Sequence, residues 1–153
     1  MTLHLTRSSL EAIEAHAAQA FPNECCGAVI GDDVKEWVRP IRNIQDELHR
    51  QDPASHPRDA RIAYFMDPKE LGALLREVDQ QKRQLRIFYH SHPDHDAYFS
   101  AEDKARAIAW DEPAYPEAAY LVVSVKAGKV GDRITVVWDP LRRDFVETEL
   151  IVD

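Results

Sequence analysis

Two histidines one residue apart, His90 and His92, stand in the stretch YHSHPDHDAYFSAEDKARA, followed by Pro93, Ser100 and Asp103. On an extended segment, residues i and i+2 point to the same side of a sheet, which is what two imidazole ligands of one metal ion need. Asp103 stands eleven residues after His92, placed to swing back as a carboxylate ligand from the first turn of a helix. Two histidines and one aspartate leave a fourth position for water in a tetrahedral Zn²⁺ site, the arrangement of catalytic rather than structural zinc. Ser100-x-x-Asp103 is also a capping box. Capping and catalysis do not compete, because a serine hydroxyl can accept from a backbone N–H and still donate its own proton, here to a developing oxyanion. A hydrolase also needs a base, and Glu24 in PNECCGAVIG offers a carboxylate at the start of an apolar strand.

These residues need a scaffold. Ser8 and Glu11 make a capping box for a first helix whose apolar positions are Leu10, Ile13, Ala17 and Ala20, ended by Pro22. CCGAVIG, a turn at Gly31-Asp32-Asp33 and VKEWVRP then read as a hairpin. The polar stretch 44–60 shows neither helical nor strand period and reads as a long loop, a candidate clamp flanking a substrate. A short strand is expected over 61–66. Asp67, Pro68 and Glu70 supply N-cap, N1 and N3 of a second helix with Leu71, Leu74, Leu75 and Val78 on one face. Residues 84–89 read as a central strand leading into the histidines, its pairing ended by Pro93, which has no N–H to donate. A third helix runs from Ser100 to about Trp110, and AAYLVVSV, RITVVWD and FVETELIV close the chain as strands. The fold class this predicts is α+β, one domain over 1–153, with a mixed, mostly antiparallel sheet flanked by three helices.

Composition excludes several function classes. The chain has 153 residues, 44% of them apolar, enough for one ordinary core. A formal charge of −8 and no basic stripe argue against nucleic acid as a partner. No apolar run approaches a membrane span and the N-terminus lacks a signal core, so the expected location is cytoplasmic. Cys25 and Cys26 are adjacent, a poor geometry for a disulfide, and read as small buried hydrophobes rather than thiolate ligands. A nucleoside deaminase would want a Cys-x-x-Cys ligand pair, which is absent. His95 reads as part of an exposed turn, and Trp37, Trp110 and Trp138 as core or edge packing.

The whole constellation resembles the JAMM (MPN+) metalloprotease family, whose pattern is an upstream Glu, then His-Ser/Thr-His-Pro, then Ser-x-x-Asp. Those positions are Glu24, His90-Ser91-His92-Pro93 and Ser100-Ala101-Glu102-Asp103, and the order of elements follows the family over most of the chain. The resemblance implies an MPN/JAB-like, cytidine deaminase-like layout and a peptidase or isopeptidase acting on the C-terminal tail of a ubiquitin-like protein. It implies zinc on His90, His92 and Asp103, Glu24 as general base and then acid, and Ser100 at the oxyanion. Compact bacterial members are similar to processors of small sulfur-carrier proteins, which makes such a protein the expected partner. A non-catalytic MPN-type scaffold and a phage-tail or cell-wall peptidase module are the alternatives. Two residues depart from the compact pattern: Phe99 stands where a proline often precedes the serine, and Ile87 where a glycine often sits.

Overall fold

The computed structural model describes residues 2–153. In chain order the elements are β1 (Thr2–Leu5), α1 (Arg7–Ala20), β2 (Cys26–Gly31), β3 (Glu36–Ile41), α2 (Gln45–Gln51), α3 (Pro68–Gln80), β4 (Gln84–Pro93), α4 (Ala101–Ala107), β5 (Ile108–Ala109), β6 (Glu112–Pro113), β7 (Ala119–Lys126), β8 (Lys129–Asp139), β9 (Asp144–Glu147) and β10 (Glu149–Val152). Six strands form the main sheet in the order β3-β2-β4-β7-β8-β9, with β4 and β7 parallel and every other neighbour antiparallel. The mixed α+β architecture read from the sequence is therefore present.

The histidine strand β4 lies inside this sheet and is covered on both sides, as its almost continuous apolar run requires. Ile87 and Tyr89 face α1, packing in one core with Leu10, Ile13, Ala17 and Leu121. Phe88 faces the other way, into a core with Ala28, Ile30, Leu74, Ala107 and Tyr120. By strand alternation, His90 and His92 share the Phe88 side, towards α3 and α4. The Tyr89 ring fills the space above Gly27, where an added Cβ would lie 2.4 Å from it, so the glycine of the ECCG stretch is dictated by close approach.

Several local expectations are corrected. Helix α1 starts at Arg7, and its N-cap is Thr6, whose Oγ1 accepts from the Ser9 N–H at 3.1 Å; the Ser8-Glu11 box is not the cap. The cause lies upstream: β1, unread in the sequence, pairs in parallel with β10 and delivers the chain to Thr6. A fourth helix, α2, occupies part of the 44–60 stretch. Only Gln45 in it is buried, so no apolar period reveals it, and its charges complement the helix dipole, with Asp46 and Glu47 first and His49 and Arg50 last. Residues 61–66 form no strand; Met66 alone bridges Asn43. Helix α4 ends at Ala107, and Trp110 and Asp111 instead take positive φ of 55° and 63° in the two-residue turn of the β5–β6 hairpin. Trp110 is 98% exposed rather than packed. The final stretch splits at Thr148, where β9 leaves the main sheet and β10 joins β1.

The corrected cap gives a direct check: Thr6→Ala should lower stability by about 1 kcal/mol while Ser8→Ala changes it by less than about 0.5 kcal/mol, read from urea midpoints.

Candidate metal centre

His90 Nε2 and His92 Nε2 lie 3.2 Å apart, and Asp103 Oδ2 lies 3.2 Å from the first and 3.3 Å from the second. All three side chains are buried. A near-equilateral triangle of two imidazole nitrogens and a carboxylate oxygen is one face of a tetrahedron. Edges of this length put its corners about 2.0 Å from the centre, the bond length of zinc to imidazole nitrogen and carboxylate oxygen. The donor set thus fits a single zinc ion in both chemistry and size. A Glu24 carboxylate oxygen lies within 4.8 Å of a ring nitrogen of each histidine, close to the triangle but outside its short contacts.

Each ligand is held from behind. His92 Nδ1 stands 3.0 Å from the Asp96 carbonyl, an acceptor that fixes the proton on Nδ1 and leaves Nε2 free to ligate. His90 Nδ1 is buried without a hydrogen-bond partner among the described residues, and its ring is held instead by stacking on Tyr64, centroids 4.5 Å apart at 28°. Asp103 is fixed by the capping box of α4: its N–H donates to Ser100 Oγ and its Oδ2 accepts from the Ser100 N–H, both at 3.0 Å. The Ser100 hydroxyl proton is left to donate elsewhere. Between the histidines, Ser91 points the other way, where its Oγ accepts from the Cys25 N–H at 2.8 Å and its N–H donates to the Cys25 carbonyl. That pair ties the residue after Glu24 to the histidine strand. Every residue singled out in the sequence for this chemistry is brought to one spot.

A family model described as prokaryotic homologs of the JAB domain matches residues 6–138. The chain belongs to that family. This JAB domain is 30% identical over 129 residues to a desampylase of Haloferax volcanii, the match covering 80% of each chain. It is 29% identical over 117 residues to tail tip assembly protein K of Escherichia phage N15, covering 74% of this chain and 41% of that one. It is 30% identical over 113 residues to a probable TtuB-protein conjugate cleaving protease of Thermus thermophilus, covering 74% of this chain and 68% of that protein.

The two departures of this JAB domain from the compact pattern are packing choices. Phe99 wedges between Tyr120 and Phe145, centroids 5.2 and 5.0 Å away, and anchors the start of α4. Ile87 is fully buried against the α1 side. The 44–60 stretch is not a free clamp. Gln45 Nε2 donates to the Arg58 carbonyl, Asp46 Oδ1 accepts from the Ala60 N–H, and Ala60 in turn accepts from the Glu24 N–H at 2.7 Å. Deleting it would unpair the backbone of Glu24, so it belongs to the scaffold of the site. Asn43, Tyr64 and Arg106, which also surround the centre, were invisible in the sequence, since none stands at a recognisable ligand spacing.

Burial, with the Asp103 charge second, pushes the Glu24 carboxyl up to about 9 against the partial offset of Arg106 and Arg58. Burial works in the same direction on Asp103, but hydrogen bonds and charge from His90, with His92 and the Ser100 N–H, hold it well below the usual carboxylate range. Burial lowers His90, keeping it neutral as a ligand must be, and raises Cys25 to about 11, which leaves a thiol and no thiolate ligand. For Glu24 the folded pKa lies above the unfolded one, so between about pH 4.5 and about pH 9 the folded chain holds a proton that the unfolded chain has lost. Stability falls as pH rises through that window. In chelator-treated protein, Glu24→Gln should therefore be more stable than the parent at pH 8, by on the order of a few kcal/mol, with the gap closing towards pH 5 in urea titrations.

Proposed function

We propose that the chain is a zinc-dependent peptidase or isopeptidase, cutting a peptide or isopeptide bond at the C-terminal tail of a small ubiquitin-like protein of the sulfur-carrier type. The observation that carries this reading is the convergence of His90, His92 and Asp103 on one tetrahedral face, with Glu24 beside it. In this reading His90, His92 and Asp103 hold zinc, and residues 1–153 act as one catalytic domain. A zinc ion held there supplies a Lewis acid that polarises the scissile carbonyl and lowers the pKa of water to about 7. Glu24 takes the proton of the attacking water on a carboxylate oxygen and passes it to the departing amine, which would otherwise leave as an unstable anion. A raised carboxyl suits the second half of that task, because it donates a proton at neutral pH. Ser100 directs its hydroxyl proton at the oxyanion of the tetrahedral intermediate.

The substrate class is supported by two relatives, one a desampylase and the other a protease of TtuB–protein conjugates, each covered over two thirds or more of its length. No helix among the described residues is long and apolar enough to cross a membrane, which suits the cytoplasmic location proposed for such an enzyme.

The test is intact-mass spectrometry of Gly-Gly-tailed carrier proteins incubated with zinc-loaded protein. Wild type should remove the tail. Glu24→Gln should bind zinc stoichiometrically and leave the tail intact; full activity in that variant would overturn the base assignment. Asp103→Ala should lose zinc, and Ser100→Ala should keep it while kcat falls about 10²–10³-fold. Cleavage of cell-wall peptides but of no carrier protein would replace the substrate class and keep the chemistry.

A further inference from the structure

We infer that Asn43 is a positioning residue that sets the Glu24 carboxylate against the His90–His92–Asp103 triangle, an assignment that rests on Glu24 being the general base. Glu24 precedes β2, so the sheet ladder does not fix its backbone. Two bonds do: its N–H donates to the Ala60 carbonyl, and its carbonyl accepts from Asn43 Nδ2 at 2.9 Å. Asn43 uses its whole amide for this purpose. Nδ2 also donates to the Ala63 carbonyl at 3.3 Å, while Oδ1 accepts from the Gln45 N–H at 3.0 Å and the Phe65 N–H at 2.9 Å. An amide offers two donors and two acceptor lone pairs, and all four are engaged.

The four bonds join parts of the site that the chain keeps far apart. Gln45 opens α2, Ala63 and Phe65 flank Tyr64, and Tyr64 stacks on His90. One side chain thus sets the backbone of the base on one side and the wall behind a histidine on the other. The ligands are fixed independently, by β4 and by the α4 capping box, so a change at Asn43 moves the base relative to the metal site without dismantling that site.

This independence makes the role separable from simple stability. Asn43→Asp keeps acceptors for Gln45 and Phe65 but donates nothing to Glu24 or Ala63. It should retain stoichiometric zinc and a KM within about twofold, with kcat lowered about 10²-fold, the scale of a displaced catalytic group. In a Glu24→Gln background the same substitution should cause no further loss of the residual rate, because a residue acting through Glu24 has nothing left to position. Amide exchange followed by NMR reads the placement without any substrate: the Glu24 N–H should exchange at least about tenfold faster in Asn43→Asp, while the β4–β7 ladder stays protected. Asn43→Ala gives the same comparison if the aspartate variant does not fold. Unchanged kcat, an equal loss in both backgrounds, or an unchanged Glu24 amide would each overturn the proposal. If wild type cleaves no carrier protein, the reading of Glu24 as base fails on its own, and the exchange measurement still decides whether Asn43 places it.

Discussion

Two imidazoles and a carboxylate held within 3.3 Å of one another, out of water, form an arrangement that a protein builds only at a cost. Each group loses hydration, and the carboxylate keeps its charge only because donors surround it. The rest of the molecule can be understood as what makes this convergence stable. Two apolar layers bury β4 on both faces, which fixes the direction of both histidines without flexible loops. The capping box of α4 brings the carboxylate to them from a helix N-terminus, where a negative charge is favoured.

The supporting shell divides into rigid and adaptable parts. Ligands sit on regular elements, strand and helix, whose backbone bonds are internally satisfied. The base sits just outside a strand and depends on side-chain and loop partners for its position. Such a division suits a site in which metal geometry must be constant while the base moves a proton between two partners. It also explains why a polar stretch with little apolar content is retained: its task is to pair with the backbone around Glu24, and polar groups do that better than apolar ones.

Much of the site was legible in the sequence because its chemistry is local. His90 and His92 lie two apart on a strand, and Ser100 and Asp103 three apart at a helix start, so spacing alone reports their direction. Glu24 was readable only as an acid oddly placed before an apolar strand, and its distance to the histidines needed the β2–β4 pairing of Cys26 with His90. Asn43 and Tyr64 were hidden because their roles are tertiary and no periodicity marks them. The same holds for the fold: apolar periods showed α1, α3 and the central strands, whereas α2 lacks an apolar face and β1 is only four residues long. The end of α4 was misread because nothing in the local sequence forbids helix at Trp110, yet the backbone turns left-handed there.

The pairing of β1 with β10 has a further consequence. Thr2 lies opposite Glu149, and Arg7 donates to the Asp153 carbonyl, so the described chain closes on itself like a ring with a gap. Closing so long a loop is costly in entropy and places much of the fold in contacts of wide sequence separation, the topology of slow folders. The parallel β4–β7 pair adds another long crossover. A short peptide linker across the gap would let the ring be opened elsewhere, for instance at the exposed β8–β9 turn, with the order of packing unchanged.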